Sequence, residues 1–338
     1  MEIIEYNFSD NYVEDYIKLI GRLYLKNYYT KTFQENVKFL LNPENPYFKY
    51  ARVKNFIVYK DDDCIGHLTA TIDKRLSDKI GLIGFFEAAS SEAADLLLGR
   101  AIDWLKSQTV NEIRGPINLS IWHNYRFMNP VDFISRFHFE PFNLSNYPDY
   151  FKKFGFKVAE NYISAFRDEF SSIITYAKPK YEDIKNSDFS IRPVDLNNFE
   201  NDLKIFYRLS LIIFKNSWSF IPISFEEFSA LYNKVDKIMN QRYCHFVCKD
   251  NKEIGFCFSL ADPLASQKTL IMKTIGVLPE FQKNNLGSAL IYLQTKNAID
   301  DGYEKIIYAL MRQNNVASNI NPYGAKIFRQ YESYNLFL

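Results

Sequence analysis

The residues most suggestive of chemistry lie close together at Gln282-Lys283-Asn284-Asn285-Leu286-Gly287-Ser288. They follow an apolar run, Thr269 to Gly276, that reads as a buried strand, and they lead into a helical pattern from Gly287 to Asp301. Strand, short polar loop and helix start form an arrangement that cradles a phosphate. The loop amides point inward, and the helix N-terminus contributes roughly half a positive charge. Gly287 suits a position where backbone must approach an anion with no side chain in the way, and Lys283 adds charge. The competing reading is an ordinary strand-to-helix turn in which asparagine caps the helix.

Other constellations are weaker. Cys244 and Cys248 share one face of a strand while His245 points the other way, and no second Cys/His pair stands at ligand spacing. Buried thiols account for them better than zinc does. His67, His123 and His138 are scattered away from any nucleophile motif, and no P-loop, dinucleotide fingerprint or kinase signature occurs.

Composition narrows the classes. The chain has 338 residues, which favours two domains, and its apolar fraction of 47% rules out a disordered chain. With 41 basic against 40 acidic residues it lacks the excess of a nucleic-acid binder. No apolar run approaches the ~20 residues of a membrane span, and Met1-Glu-Ile-Ile-Glu-Tyr6 lacks a signal-peptide pattern. Four cysteines in so long a chain suggest reduced thiols, so a cytoplasmic location is expected.

The elements that must position the loop occur twice. In the first half, helical spacing over 10–43 ends at Asn42-Pro-Glu-Asn-Pro46. Strand-like runs Ala51–Tyr59 and Cys64–Ile72, a strand from Ile80, a helix Ser91–Ser107 and a strand Glu112–Ile117 follow. In the second half, helices at Phe199–Lys215 and Phe225–Met239 precede a hairpin at 245–255, the strand from Thr269, the helix from Gly287 and a strand Lys305–Met311. Three anchors align the halves. Val58…Gly66 matches Val247…Gly255 at an offset of 189, 97–113 matches 290–306 at 193, and Gly155…Tyr162 matches Gly324…Tyr331 at 169. A drifting offset is what two copies of one fold with unequal loops produce. The expected division is 1–170, a polar linker 171–187 containing Pro179, and 188–338, with a long connection near 118–149 in the first copy.

The stretch from Gln282 to Gly287 resembles the pyrophosphate loop of the GCN5-related N-acetyltransferases (GNATs), Gln/Arg-x-x-Gly-x-Gly/Ala, with Gln282, Asn285 and Gly287 at the signature positions. Asn285 stands where the family has its first glycine. Asparagine is the non-glycine residue that best tolerates left-handed dihedrals, at a cost on the order of 1 kcal/mol. The resemblance implies an α/β fold of two tandem GNAT-like domains, each a mixed, splayed central sheet flanked by helices. It implies acetyl-CoA, or another acyl-CoA, as co-substrate. The backbone at Ile275 and Val277 would hold pantetheine, and the backbone of Gln282, Lys283, Asn284, Asn285, Leu286, Gly287 and Ser288 would hold pyrophosphate. Asn315 matches an asparagine frequent at the end of the fifth strand, and Tyr323 is placed to protonate the leaving thiolate. No base is assigned: the strand from Leu270 offers only Lys273, and Glu87 is an outside candidate. The first copy has Ala94 opposite Gly287 and two glutamates, Glu87 and Glu92, where phosphates would lie, so it is expected to complete the substrate cleft or act as scaffold.

The implied reaction is acyl transfer, most simply acetyl, to a primary amine by direct attack, with a small-molecule or peptide amine as acceptor and neither nucleic acid nor membrane as partner. Two alternatives share the features: a non-catalytic acyl-CoA-binding or regulatory protein, and an aminoacyl-tRNA-dependent ligase with the same double fold.

Overall fold

The computed structural model describes residues 1–24, 30–77, 79–131, 136–232, 234–313 and 324–338. The first half begins with strand β1 (Glu2–Tyr6) and helices α1 (Asp10–Leu23) and α2 (Lys31–Leu40). Strands β2 (Ala51–Lys60), β3 (Asp63–Asp73) and β4 (Ile80–Ala88) lead to helix α3 (Ser91–Ser107). Strands β5 (Glu112–Gly115) and β6 (Phe127–Met128), helix α4 (Tyr147–Lys153) and strand β7 (Lys157–Arg167) complete it. The second half runs through α5 (Ser171–Lys185), β8 (Phe189–Pro193), α6 (Phe199–Ile213) and α7 (Phe225–Tyr232). It continues with β9 (Cys244–Lys249), β10 (Lys252–Ala261), β11 (Thr269–Val277), α8 (Leu286–Asp300), β12 (Lys305–Arg312) and β13 (Lys326–Phe337).

Turn chemistry sets the hairpins. Lys60 faces Asp63 and Lys249 faces Lys252, so each loop has two residues. Asp61 (φ 55°), Asp250 (φ 49°) and Asn251 (φ 60°) supply the left-handed backbone that matches strand twist. From these turns outward the registers repeat at the spacing of the sequence. Gly66 faces Val58 as Gly255 faces Val247, and Ile80 lies beside Glu112 as Thr269 lies beside Lys305. Leu336 faces Ile113 as Arg167 faces Ile306.

The strands join in one mixed sheet in the order β1-β2-β3-β4-β5-β13-β7-β12-β11-β10-β9-β8, with β6 against β13. The last strands of the halves are therefore exchanged. β13, from the end of the chain, pairs with β5 of the first half, while β7 pairs with β12 of the second. The two meet antiparallel at the centre, where Tyr162 faces its own repeat equivalent, Tyr331. The residues bulged out of this ladder, Ala159 and Phe328, are also equivalents, so the pair carries a local two-fold relation.

The segment expected to be a linker is instead a helix. α5 packs on α8, with the Tyr181 and Tyr292 rings 4.9 Å apart, and Pro179 lies within it. The expected boundaries also pass over the exchange: Tyr334, near the C-terminus, is buried in the first half's core with Phe127, Phe151 and Leu97. A larger core crosses between halves, joining Tyr16, Ile17 and Leu40 to Phe206, Phe246 and Leu290.

Candidate functional site

β11 and β12 run parallel only from Thr269 beside Lys305 to Met272 beside Tyr308. Just past that last pair both strands become irregular. On β11 the register with β10 slips between Ser259–Met272 and Phe258–Thr274, leaving Lys273 as an extra residue. On β12 Leu310 takes φ 57°, and the register with β7 slips between Tyr308 and Met311. The strands thus form a fork. Its β11 edge, from Lys273 through Ile275 to Val277, has no strand partner on the β12 side among the described residues.

The far end of that edge runs into the anion-loop candidate. The Val277 carbonyl accepts from Gln282 Nε2 at 3.2 Å, and Leu278 N donates to the Ile254 carbonyl at 2.8 Å, so the strand end is fixed from both sides. Pro279–Asn284 form a 3-10 turn, held by Asn284 Nδ2 donating to the Phe281 carbonyl at 3.1 Å. Asn285 then takes φ 57°, ψ 13°, the left-handed conformation its position requires, and α8 starts at Leu286. Its side chain makes no capping hydrogen bond, which removes the reading of this turn as a plain asparagine cap. Leu286, fully buried, anchors the helix in the core, while Gln282, Lys283, Asn284 and Asn285 are exposed. A Cβ added at Gly287 would meet nothing within 4 Å. At Gly287 and Ser288 the helix start is accessible, with no side-chain cap and no acidic residue in its first turn, as anion binding needs.

The equivalent fork in the first half is filled. β4 and β5 pair from Ile80 to Leu82 and then part. The chain leaving β5 turns back along β4: Ile117 N donates to the Ile83 carbonyl at 2.7 Å, and Phe85 N donates to Asn118 Oδ1 at 2.7 Å. A Cβ on Gly84 would lie 2.0 Å from the Ile117 carbonyl oxygen, so no further chain fits there. The helix start is also occupied, because Ser90 Oγ accepts from Ala93 N at 3.3 Å and Glu92 sits in the first turn of α3. Glu87 lies half-buried in this half between the hydroxyls of Tyr24 and Tyr147, each 2.7 Å away, and desolvation of its carboxyl pushes it up to about 7.

Asn315 and Tyr323 lie outside the described residues. At the fork vertex β11 contributes Lys273, whose ammonium is pulled down to about 8 by burial and by the nearby Arg126 charge. Arg126 comes from the long connection of the first half, and sequence patterns gave no signal for it. That connection lies against the second half: Phe137 packs with Ile271 and Ile307, and His138 N donates to Asp262 Oδ1 at 3.2 Å. Trp218 lies half-buried, its ring 5.5 Å from the Arg114 guanidinium of β5. The four cysteines are free and buried, and among the described residues no group of three or more His, Cys, Asp or Glu is placed to hold a metal ion. No helix among the described residues is long and apolar enough to cross a membrane.

The model of the acetyltransferase (GNAT) family matches residues 211–320, a span that contains the fork, the loop and α8. Protein YghO of Escherichia coli (strain K12) is 18% identical over 329 residues, covering 87% of this chain and 84% of its own. Among solved structures, a tandem GNAT protein from the clavulanic acid biosynthesis pathway superposes with a TM-score of 0.59 at 8% identity, covering 99% of this chain and 98% of that one. A GCN5-related N-acetyltransferase from Anabaena variabilis gives 0.59 at 10% identity over 99% of this chain and 73% of its own. A probable N-acyltransferase from Enterococcus faecalis gives 0.57 at 10% over 100% and 73%. The forked sheet, the left-handed loop and these similarities agree: residues 211–320 match the GNAT acetyltransferase family, and the chain as a whole has the tandem GNAT fold.

Proposed function

We propose that the chain is an acyl-CoA-dependent N-acyltransferase, most simply an N-acetyltransferase, whose site is the fork and loop of the second half and whose acceptor is a primary amine. The observation that carries this reading is the continuity of three features: the unpaired edge of β11, the left-handed Asn285 turn, and the uncapped start of α8 with open space at Gly287. An acyl-CoA bound there would supply a thioester carbon for the amine to attack. The backbone at Ile275 and Val277 would hydrogen-bond the pantetheine arm as an added strand does. The amides from Gln282 to Ser288 would hold the pyrophosphate, with Lys283 adding charge. Tyr323 is the proposed donor to the leaving thiolate. The filled fork of the first half supports one acyl-CoA site per chain, with that half serving as scaffold and cover.

Thermal shift with acetyl-CoA, coenzyme A and longer acyl forms tests the reading. A ligand at ~100 times its Kd stabilises by about 2.7 kcal/mol, and Gly287→Glu should abolish that shift. The variant should fold, because its side chain enters open space and a carboxylate suits a helix start, so a lost shift would report the loop itself. An unchanged shift in Gly287→Glu would remove the pyrophosphate from this loop. No shift with any form would remove coenzyme A altogether, and a shift without coenzyme A release over a broad amine panel would favour the non-catalytic binding protein.

A further inference from the structure

Two cationic side chains stand at the fork vertex, and neither has an acidic partner among the described residues. Arg126 is 7% exposed. Its guanidinium sits in the corner of two nearly perpendicular aromatic rings, 3.8 Å from the Tyr125 centroid and 3.9 Å from that of Tyr162. Nη1 donates to the carbonyl of Leu310, the left-handed residue where β12 leaves β11, at 3.1 Å. Nε is buried with no acceptor. Across the fork, Lys273 is the bulged residue that follows the last parallel pair, and its ammonium lies 6.0 Å from the centroid of the Phe139 ring.

The carboxylates of the surrounding elements are already engaged. Glu160 pairs with Arg312, Glu140 accepts from Tyr331 and lies 3.2 Å from Arg329 Nε, and Asp262 accepts from the amides of His138 and Leu264. A buried guanidinium with one carbonyl acceptor and no counter-charge is costly. The carbonyl contact to β12 alone would be served equally by a neutral amide side chain. A second cation nearby adds repulsion: burial, and after it the Arg126 charge, depresses the Lys273 ammonium.

We propose that the acceptor amine carries a carboxylate, and that Arg126 and Lys273 hold this carboxylate at the fork vertex. The class of acceptor is thus an amino acid or a molecule with an amino-acid-like end. The inference rests on the acyltransferase reading for the placement of the reacting carbon at this vertex. The free Nε and its neighbouring Nη offer the planar two-point edge that matches a carboxylate, and Lys273 provides a point charge from the opposite strand. Contact with the Tyr125 and Tyr162 rings and the bond to the Leu310 carbonyl already restrain the guanidinium, so little side-chain freedom is lost on binding.

The test compares pairs of amines that differ in one group. Coenzyme A release is measured with a panel of amino acids, their carboxamides and their aminophosphonate analogues. The carboxamides should be worse by about tenfold to a hundredfold in kcat/KM, the worth of a charge-assisted contact. Arg126→Gln should erase the difference while retaining the acetyl-CoA thermal shift, and Lys273→Met is the second variant should Arg126→Gln fail to fold. A parallel calorimetric titration of the same amino acids and amides into coenzyme-free protein reads binding without turnover. Carboxylate-selective binding that is lost in the variants supports the proposal. It is overturned if amides serve as well as acids, if phosphonates are preferred over carboxylates, or if a folded Arg126→Gln keeps the wild-type preference. Failure of every acyl-CoA to shift the wild type would sink the acyltransferase reading, and the titration would still decide whether a carboxylate site exists.

Discussion

Tyr334→Ala tests whether the strand exchange joins the halves into one cooperative unit. Tyr334 is four residues from the C-terminus and fully buried, yet it packs in the first half's core, with ring centroids 6.2 Å from Phe127 and 6.0 Å from Phe151. Truncating a buried aromatic costs roughly 3–5 kcal/mol through lost transfer energy and the cavity left behind. If the chain unfolds as one unit, an entropy of about 2.1 cal/mol/K per residue converts this to a fall in Tm of about 4–7 °C. Calorimetry should then show a single transition that moves as a whole, although the substitution lies in the last strand. Hydrogen exchange should show faster opening of α3 and β4 amides, because their core has lost a residue delivered from the far end of the chain. Two separate transitions of which one moves, or unchanged protection in α3 and β4, would refute the coupling.

Three further outcomes follow from single residues. Asn285→Gly should leave stability within about 0.5 kcal/mol, since relief of the left-handed backbone is offset by added unfolded-state freedom, whereas Asn285→Val should cost about 1–3 kcal/mol in urea unfolding; a tolerated valine would contradict the loop conformation. Glu87 has a folded carboxyl near 7, above its unfolded value, so its contribution falls as pH rises from about 4.5 to about 7 and is flat beyond. Glu87→Gln should therefore gain stability relative to wild type between pH 5 and pH 8, and a difference that does not vary with pH would exclude the raised carboxyl. Glu227, 4% exposed, pairs across the halves with Arg75 at 2.7 Å and also accepts from Ser224 N at the start of α7. Glu227→Ala should cost roughly 3–5 kcal/mol, while Glu226→Ala, which loses an exposed pair with Lys49, should cost under about 1 kcal/mol; equal losses in chemical denaturation would show that burial is not what separates them.

Much of this fold was legible in the sequence because the chain repeats itself. The offsets 189, 193 and 169 that align the halves reappear in the strand registers, and the helix from Ser91 to Ser107 ends where its pattern does. The left-handed tolerance expected of Asn285 is the conformation it takes. Four features were not legible, for identifiable reasons. β7 and β13 carry the same repeat, so nothing in their residues says which half each completes. The polar stretch 171–187 with its proline reads as a linker, yet burial of Ile173, Ala177 and Ile184 draws it into helix α5. The filling of the first fork depends on Ile117 and Asn118 turning back on β4, a contact between residues some thirty positions apart that no local pattern encodes. Arg126 went unseen for a related reason: it belongs to one half and serves the other.

The central strand pair also bears on how the chain is made. Synthesis delivers β7 long before β13, and β7 bears the pattern that β5 of the first half needs for a neighbour. A ribosome-bound first half therefore has its own last strand as an available stand-in, in a register the finished protein assigns elsewhere. In the finished fold that strand pairs with β12 and β13 takes the place beside β5, so the sheet of each half is completed by the last strand of the other.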